Sequence, residues 1–101
     1  MPLRVKVVRR AGAQIQEAAA WWAENRQVAP DVFREELRSA IDLVSRHPSI
    51  GARALNTRLP GVRRIHLSRI RYHLYYRVRA EAETVEILAF WHTSRGTAPA
   101  L

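Results

Sequence analysis

Hydrophobic residues recur with helical spacing in two stretches of the first half of the chain. Over residues 11–26, one apolar stripe is formed by Ile15, Ala18, Ala19 and Trp22. After a short break at 27–29, Pro30 suits the first turn of a second helix. The apolar positions of this second helix are Phe33, Leu37, Ala40, Ile41 and Val44. Pro48 would end it, so the pattern predicts an antiparallel pair of helices.

The other apolar segments alternate with polar residues, as strands do. Residues 4–8 predict a short strand in which Val5 and Val7 face inward. A loop over 48–61 follows the helices, and three more strands are predicted over 62–67, 71–79 and 84–91. Their connections are short, which favours an antiparallel meander.

The middle strand of the meander alternates most regularly. Its inward positions are Tyr72, Leu74, Tyr76 and Val78, and the positions between them are mostly basic or aromatic. One face of the sheet should therefore pack on the helices, and the other should be cationic. The prediction is a single α+β domain over residues 1–101, with the order β-α-α-β-β-β and the helical hairpin on one face of an antiparallel sheet.

Composition narrows the function classes. The 101 residues hold 17 basic and 9 acidic side chains, a net charge of +8, and there is no acid between Asp42 and Glu81. An acidic macromolecular partner is therefore expected. The absence of cysteine excludes disulfides, thiolate nucleophiles and Cys-based zinc sites. The longest apolar run has six residues, Ala18 to Ala23, which is too short for a membrane span, so we expect a soluble, cytoplasmic protein without a membrane partner.

Candidate chemistry lies on the cationic face of the predicted sheet. Side chains that would meet there are Arg64, His66, His73, Tyr75 and Arg77, and His92 lies at the end of the last strand. Such a patch would bind RNA phosphates, and a histidine would move a proton from a ribose 2′-hydroxyl; the alternative is an inert solvated face. Histidine spacing argues against a metal site, and no phosphate-cradling glycine loop is present, so no cofactor is expected. Trp21 would either fill the seam of the hairpin or anchor a partner.

Several short motifs, in order, carry a family resemblance. They are Trp21-Trp22 with Asn25-Arg26, Phe33 with Leu37, Pro48 with Gly51, Leu59 to Arg64, Arg71 to Val78, Ile87-Leu88, Trp91-His92, Ser94-Arg95 and Pro99. Together they resemble the ParE/RelE superfamily of small bacterial toxins from type II toxin–antitoxin modules. The sequence is most similar to the ParE-like branch, which includes plasmid stabilisation proteins.

The resemblance implies a protein that arrests growth unless a cognate antitoxin, commonly a DNA-binding dimer with an acidic tail, neutralises it. ParE-like members poison DNA gyrase as non-enzymatic protein inhibitors, whereas RelE-like members are metal-independent endoribonucleases that cut mRNA on the ribosome. By the RelE-like reading, the catalytic positions would be Arg64, His66, His73, His92 and Arg95. The lysines common in RelE-like sites are absent and no tyrosine follows Arg95. Gyrase poisoning is therefore favoured, with the RelE-type nuclease and a plain basic nucleic-acid-binding module as alternatives.

The predicted cationic face and the family resemblance also indicate candidate residues for a binding surface. They are Arg63, Arg64, Arg71, His73, Tyr75, Arg77 and Trp21. We expect the antitoxin to bind the helical hairpin and its seam with the sheet, and the segment 94–101 to be a candidate for target contact.

Overall fold

Two helices pack on one face of a five-stranded sheet. The computed structural model describes residues 2–27, 29–55 and 57–101. The elements in chain order are β1 (Arg4–Val7), α1 (Arg9–Asn25), α2 (Val32–Arg46), β2 (Ala52–Arg53), β3 (Arg63–Leu67), β4 (Tyr72–Arg79), a 3-10 turn (Ala80–Ala82) and β5 (Thr84–His92). Val28 and Asn56, which fall in the predicted break and loop, lie outside the described residues. The predicted α+β fold class and every predicted helix and strand are confirmed, except that α2 begins at Val32, so Pro30 precedes its first turn rather than lying in it.

Two features of the sheet differ from the prediction. The strand order is β1-β5-β4-β3-β2, and β1 pairs with β5 in parallel, so the sheet is mixed rather than antiparallel. Parallel neighbours cannot be joined by a tight turn, and here α1, α2 and three strands lie between β1 and β5 in the chain. The predicted loop over 48–61 also contains β2, whose two residues pair with the start of β3. A strand of that length has no alternation to detect.

The valines of β1 face the helices but are not buried. Val5 and Val7 lie beside Val85 and Ile87, which are fully buried, yet they remain 40% and 42% exposed. Because β1 is an edge strand, only its β5 side is covered. The expected inward direction of these side chains is confirmed, although both remain partly exposed.

The main core lies between the helices and the sheet. The helix positions that it buries most completely are Ala11, Ala18, Phe33, Ala40 and Val44. Phe33 stands edge-on to Tyr72 and Phe90, at 6.3 and 5.8 Å, and the rings of Tyr72 and Phe90 stack at 4.4 Å. Such edge-on and stacked contacts add to the free energy gained from burying the rings. The predicted helix stripes and the inward face of β4 are thus confirmed, except that Val78 is 37% exposed.

A second, smaller core covers part of the face that points away from the helices, here called the reverse face. It buries Val62, Tyr75, Leu88 and Ala89. The pairing of β4 with β5 shifts between Tyr75 and Tyr76, so Tyr75 lies opposite Ala89 and Tyr76 opposite Ile87. Leu88 is the extra residue of this bulge, and it joins Ala89 on the reverse face.

The end of the chain packs over this second core. Leu101 contacts it, the indole N–H of Trp91 donates to the Thr97 carbonyl at 2.8 Å, and Arg10 donates to the Ala100 carbonyl at 2.8 Å. The reverse face is therefore only partly open, which corrects the expectation that the face opposite the helices is an open, cationic one. Among the described residues, none of the helices has the length and apolar character needed to cross a membrane.

Candidate macromolecule-binding face

Four of the five predicted patch residues come together on the reverse face. The register of β3 and β4 places Arg64 opposite Tyr75 and His66 opposite His73. Arg64 Nη1 lies 3.4 Å from the Tyr75 hydroxyl, which accepts its hydrogen bond. The ring centres of His66 and His73 are 5.3 Å apart, and those of His73 and Tyr75 are 6.2 Å apart. We call Arg64, His66, His73 and Tyr75 the β3–β4 cluster.

The surroundings of His73 in the β3–β4 cluster favour the neutral form of its imidazole. Partial burial lowers the pKa of His73 below its ordinary value of 6.5, and the charges of Arg64 and His66 lower it further. A neutral imidazole can accept a proton or bind a metal ion, while the neighbouring guanidinium can hold an anion. Among the described residues, no acidic side chain forms an ion pair with Arg64.

Arg77, the fifth predicted residue, is instead engaged with an acid on β5. Its Nε donates to Glu86 Oε1 at 2.7 Å, and the two side chains are only 20% and 11% exposed. Arg79 Nη1 approaches the same carboxylate oxygen at 3.8 Å. Arg77 is therefore neutralised locally and is not a free cation for a partner. Sequence reasoning missed Glu86 because only the register shows that it faces Arg77.

His92 lies on the other face of the sheet. It pairs with Tyr72, and the two rings stand perpendicular at 4.9 Å on the helix-facing side. The backbone N–H of Ser94 donates to His92 Nδ1 at 3.1 Å, so in the neutral ring the proton is on Nε2. The sheet thus separates His92 from the β3–β4 cluster, and the five residues of the RelE-like reading do not converge on one point.

A cleft at the end of α1 surrounds His92. Trp21, which is 47% exposed, forms one wall, so it does not fill the hairpin seam. The other lining residues are Gln14, Glu17, Ala18, Tyr72, Phe90, His92 and Arg95. The Arg26 guanidinium lies 5.5 Å from the centre of the Trp21 ring, a cation–π contact. An exposed tryptophan beside charged side chains is typical of a protein-binding surface.

The remaining basic candidates lie around the β3–β4 cluster rather than in it. Arg63 is opposite Tyr76, and its Nη1 donates to the Gly51 carbonyl at 2.7 Å. Arg71 is exposed in the turn before β4, with a φ of 63°. The Arg95 guanidinium lies 4.1 Å from the centre of the Trp91 ring, between the reverse face and the cleft. Arg71 and Arg95 therefore lie near the end of the sheet where β3 turns into β4, whereas Arg63 lies at the opposite end of β3.

Comparison with known protein families identifies the chain. A family model described as "ParE toxin of type II toxin-antitoxin system, parDE" matches residues 5–96. The chain belongs to the ParE family of type II toxins. The resemblance seen in the sequence is thus confirmed. Among curated proteins, no sequence matches the toxin significantly.

Solved structures of both branches share the fold of the toxin. The chromosomal ParDE toxin–antitoxin system from P. aeruginosa matches with a TM-score of 0.68 and 18% identity, over 91% of this chain and 97% of that one. The isolated E. coli RelE toxin matches at 0.66 and 22% identity, over 93% and 87%. The toxin–antitoxin complex RelBE2 of Mycobacterium tuberculosis matches at 0.65 and 23% identity, over 91% and 99%. At these identities the likeness shows the fold, and it does not separate the two branches.

Proposed function

We propose that this toxin arrests growth by poisoning DNA gyrase. The match to the ParE toxin family over residues 5–96 carries the proposal. ParE-like proteins, which the sequence resembles, act on gyrase as protein inhibitors, whereas RelE-like proteins cut mRNA on the ribosome. Assignment to the ParE family therefore favours the topoisomerase as target.

The geometry of the histidines supports the same choice. General acid–base cleavage of RNA needs its proton-transferring groups within hydrogen-bond reach of one phosphate. His73 belongs to the reverse face, whereas His92 packs on Tyr72 on the helix-facing side. Tyr75 is only 4% exposed, so its hydroxyl is also poorly placed to meet a substrate. Of the candidate positions of a RelE-like site, His66 and His73 lie together, whereas His92 is on the other face of the sheet.

A gyrase-cleavage assay tests the proposal. Purified toxin is incubated with gyrase, ATP and supercoiled plasmid, and detergent and protease are then added to release trapped breaks. We expect linear DNA to accumulate. Arg64→Glu and Arg71→Glu should reduce it, because both change the charge of the candidate binding surface. Arg34→Glu is the matched control, since Arg34 lies exposed on α2 in an ion pair with Asp31.

The alternative target is mRNA on the ribosome, and the β3–β4 cluster favours it as a second candidate. It places the imidazole of His73 near the guanidinium of Arg64, and these are groups that can move a proton and stabilise a phosphate. If this function holds, folded toxin leaves gyrase unaffected but cleaves mRNA on translating ribosomes. His73→Ala should then abolish cleavage, while His92→Ala, on the opposite face, should retain it. Cleavage of mRNA that depends on His73, with gyrase left unaffected, would overturn the gyrase proposal.

An antitoxin with an acidic segment is the proposed regulatory partner. The net charge of +8 and the exposed Trp21 at the cleft together fit a peptide that carries both carboxylates and an apolar anchor. The structural neighbours include toxin–antitoxin complexes, which supports a partner of this kind. Coexpression with the adjacent gene should yield a stable complex. Trp21→Ala should weaken it, whereas Leu55→Ala, which truncates another exposed apolar side chain away from the cleft, should not.

A further inference from the structure

His66 and His73 occupy the geometry of a two-histidine chelate. They are partners in the register of β3 and β4, so both side chains project from the reverse face. Their ring centres are 5.3 Å apart and their planes are tilted by 58°. Two imidazoles bound to one zinc ion, with each nitrogen at about 2.0–2.1 Å, have ring centres about 5 Å apart. The observed spacing therefore matches that of two ligands sharing one ion.

Both imidazoles are available for coordination. Among the hydrogen bonds of the described residues, neither ring has a side-chain or backbone partner, whereas Nδ1 of His92 accepts one from Ser94. His66 is exposed and His73 is partly exposed, so an ion and its remaining water ligands can reach them.

We infer that His66 and His73 form a binding site for a late first-row divalent metal ion such as Cu²⁺ or Zn²⁺. Imidazole nitrogen suits these ions, and Cu²⁺ should bind more tightly than Zn²⁺. Mg²⁺ prefers carboxylate and carbonyl oxygen, so it should not bind. No group of three or more histidine, aspartate or glutamate side chains gathers among the described residues, so water completes the coordination shell. The bound ion links β3 to β4.

The positive charge of Arg64 disfavours a cation bound at this site, and a substitution of Arg64 can measure this effect. Its guanidinium lies on the same face, two residues before His66, and its charge already acts on His73. A second positive charge nearby raises the electrostatic cost of binding a cation. Arg64→Gln should therefore tighten metal binding, by about threefold to tenfold. A site built from unrelated side chains would not respond in this way.

Calorimetric titration of untagged, full-length toxin with Cu²⁺ and with Zn²⁺ tests the inference. We expect one ion per chain, no response to Mg²⁺, and an increase in Tm because only the folded chain holds the two imidazoles side by side. His66→Ala and, separately, His73→Gln should each weaken binding at least about tenfold, since one imidazole remains. His47→Ala, which removes an exposed histidine at the end of α2, should bind as the wild type does. Circular dichroism checks that each variant is folded.

Electron paramagnetic resonance of the Cu²⁺ complex gives an independent readout. The wild type should show coupling to two equatorial nitrogens, and His66→Ala should show coupling to one. Unchanged binding by the double variant His66→Ala/His73→Gln, or no binding by the wild type at millimolar Cu²⁺, would overturn the inference. This outcome is separate from the gyrase proposal, because the titration contains neither gyrase nor nucleic acid.

Discussion

The Tyr76 hydroxyl holds the loop after α2 against the sheet through Gly51. The backbone N–H of Gly51 donates to this hydroxyl at 2.9 Å, and the hydroxyl donates to the Pro48 carbonyl at 2.8 Å. Tyr76 is fully buried, so both hydrogen bonds form away from water. One side chain of β4 thereby fixes where the chain leaves the helices and enters β2.

Gly51→Ala should destabilise the toxin. A Cβ at this position would lie 2.6 Å from the Tyr76 hydroxyl and 2.9 Å from the Arg64 carbonyl oxygen, so the backbone has to move. We expect a loss of about 1–3 kcal/mol in the free energy of unfolding, measured by urea denaturation. Gly96→Ala is the control, because a Cβ there meets nothing within 4 Å. Equal stability of the two variants would contradict the close packing.

Alkaline conditions should destabilise the toxin through Tyr76. Burial raises the pKa of this phenol above its ordinary value of 10.0, so the folded chain holds the proton more tightly than the unfolded chain does. The contribution of Tyr76 to the free energy of unfolding is fully present below pH 10. It is lost as the pH rises towards and through the pKa that Tyr76 has in the folded chain. Denaturation between pH 8 and 11 measures it.

Tyr76→Phe provides the comparison for that experiment. The variant should lose about 1–3 kcal/mol at neutral pH, because the N–H of Gly51 and the carbonyl of Pro48 lose their partner. It should also lose less stability than the wild type does above pH 10. An identical alkaline decline in both proteins would mean that other groups cause it.

Glu86→Gln should cost more stability than removal of an exposed ion pair. The variant leaves Arg77, which is 20% exposed, without its carboxylate, and we expect a loss of about 1–3 kcal/mol. Asp31→Asn breaks the pair with Arg34, whose side chains are 63% and 70% exposed, and should change stability by less than about 1 kcal/mol. Thermal denaturation of both variants at the same pH compares the two losses of stability. A larger loss for Asp31→Asn than for Glu86→Gln would show that the ion pair between Arg77 and Glu86 stabilises the fold little.

His73 should titrate below pH 6.5. Partial burial, Arg64 and His66 lower its pKa, so the unfolded chain binds this proton more tightly, and the associated stability is lost as the pH falls below 6.5. NMR titration of the imidazole signals measures the midpoint. Arg64→Gln should raise the midpoint, while Arg34→Gln should leave it unchanged. A midpoint at or above 6.5 in the wild type would contradict the assigned environment.

Sequence patterns predicted the elements better than their long-range relationships. The stripe that includes Phe33 and Val44 depends only on neighbours one or two turns away, so α2 is visible in the sequence. The parallel pairing of Val5 with Val85 joins distant segments, and no local pattern reports it. The two-residue strand β2 is too short to alternate.

The sequence of β5 does indicate that the reverse face is partly buried. In β5, Ile87, Leu88, Ala89 and Phe90 are apolar in succession, which is typical of a strand covered on both faces. The alternation of β4 alone, with Tyr75 among basic residues, indicates an open face instead. The composition of the candidate patch was therefore predictable, but the local neutralisation of Arg77 and the separation of His92 depend on register and on the bulge at Leu88.

The position of β5 in the sheet makes completion of the fold depend on the last strand of the sequence. This strand is the last to be translated, yet it lies between β1 and β4 and supplies Ile87 and Phe90 to the main core. A nascent chain that still lacks β5 has a gap inside its sheet, and it cannot bury the apolar sides of α1 and β1. The sheet and the main core are therefore completed only when β5 has joined both of its neighbours.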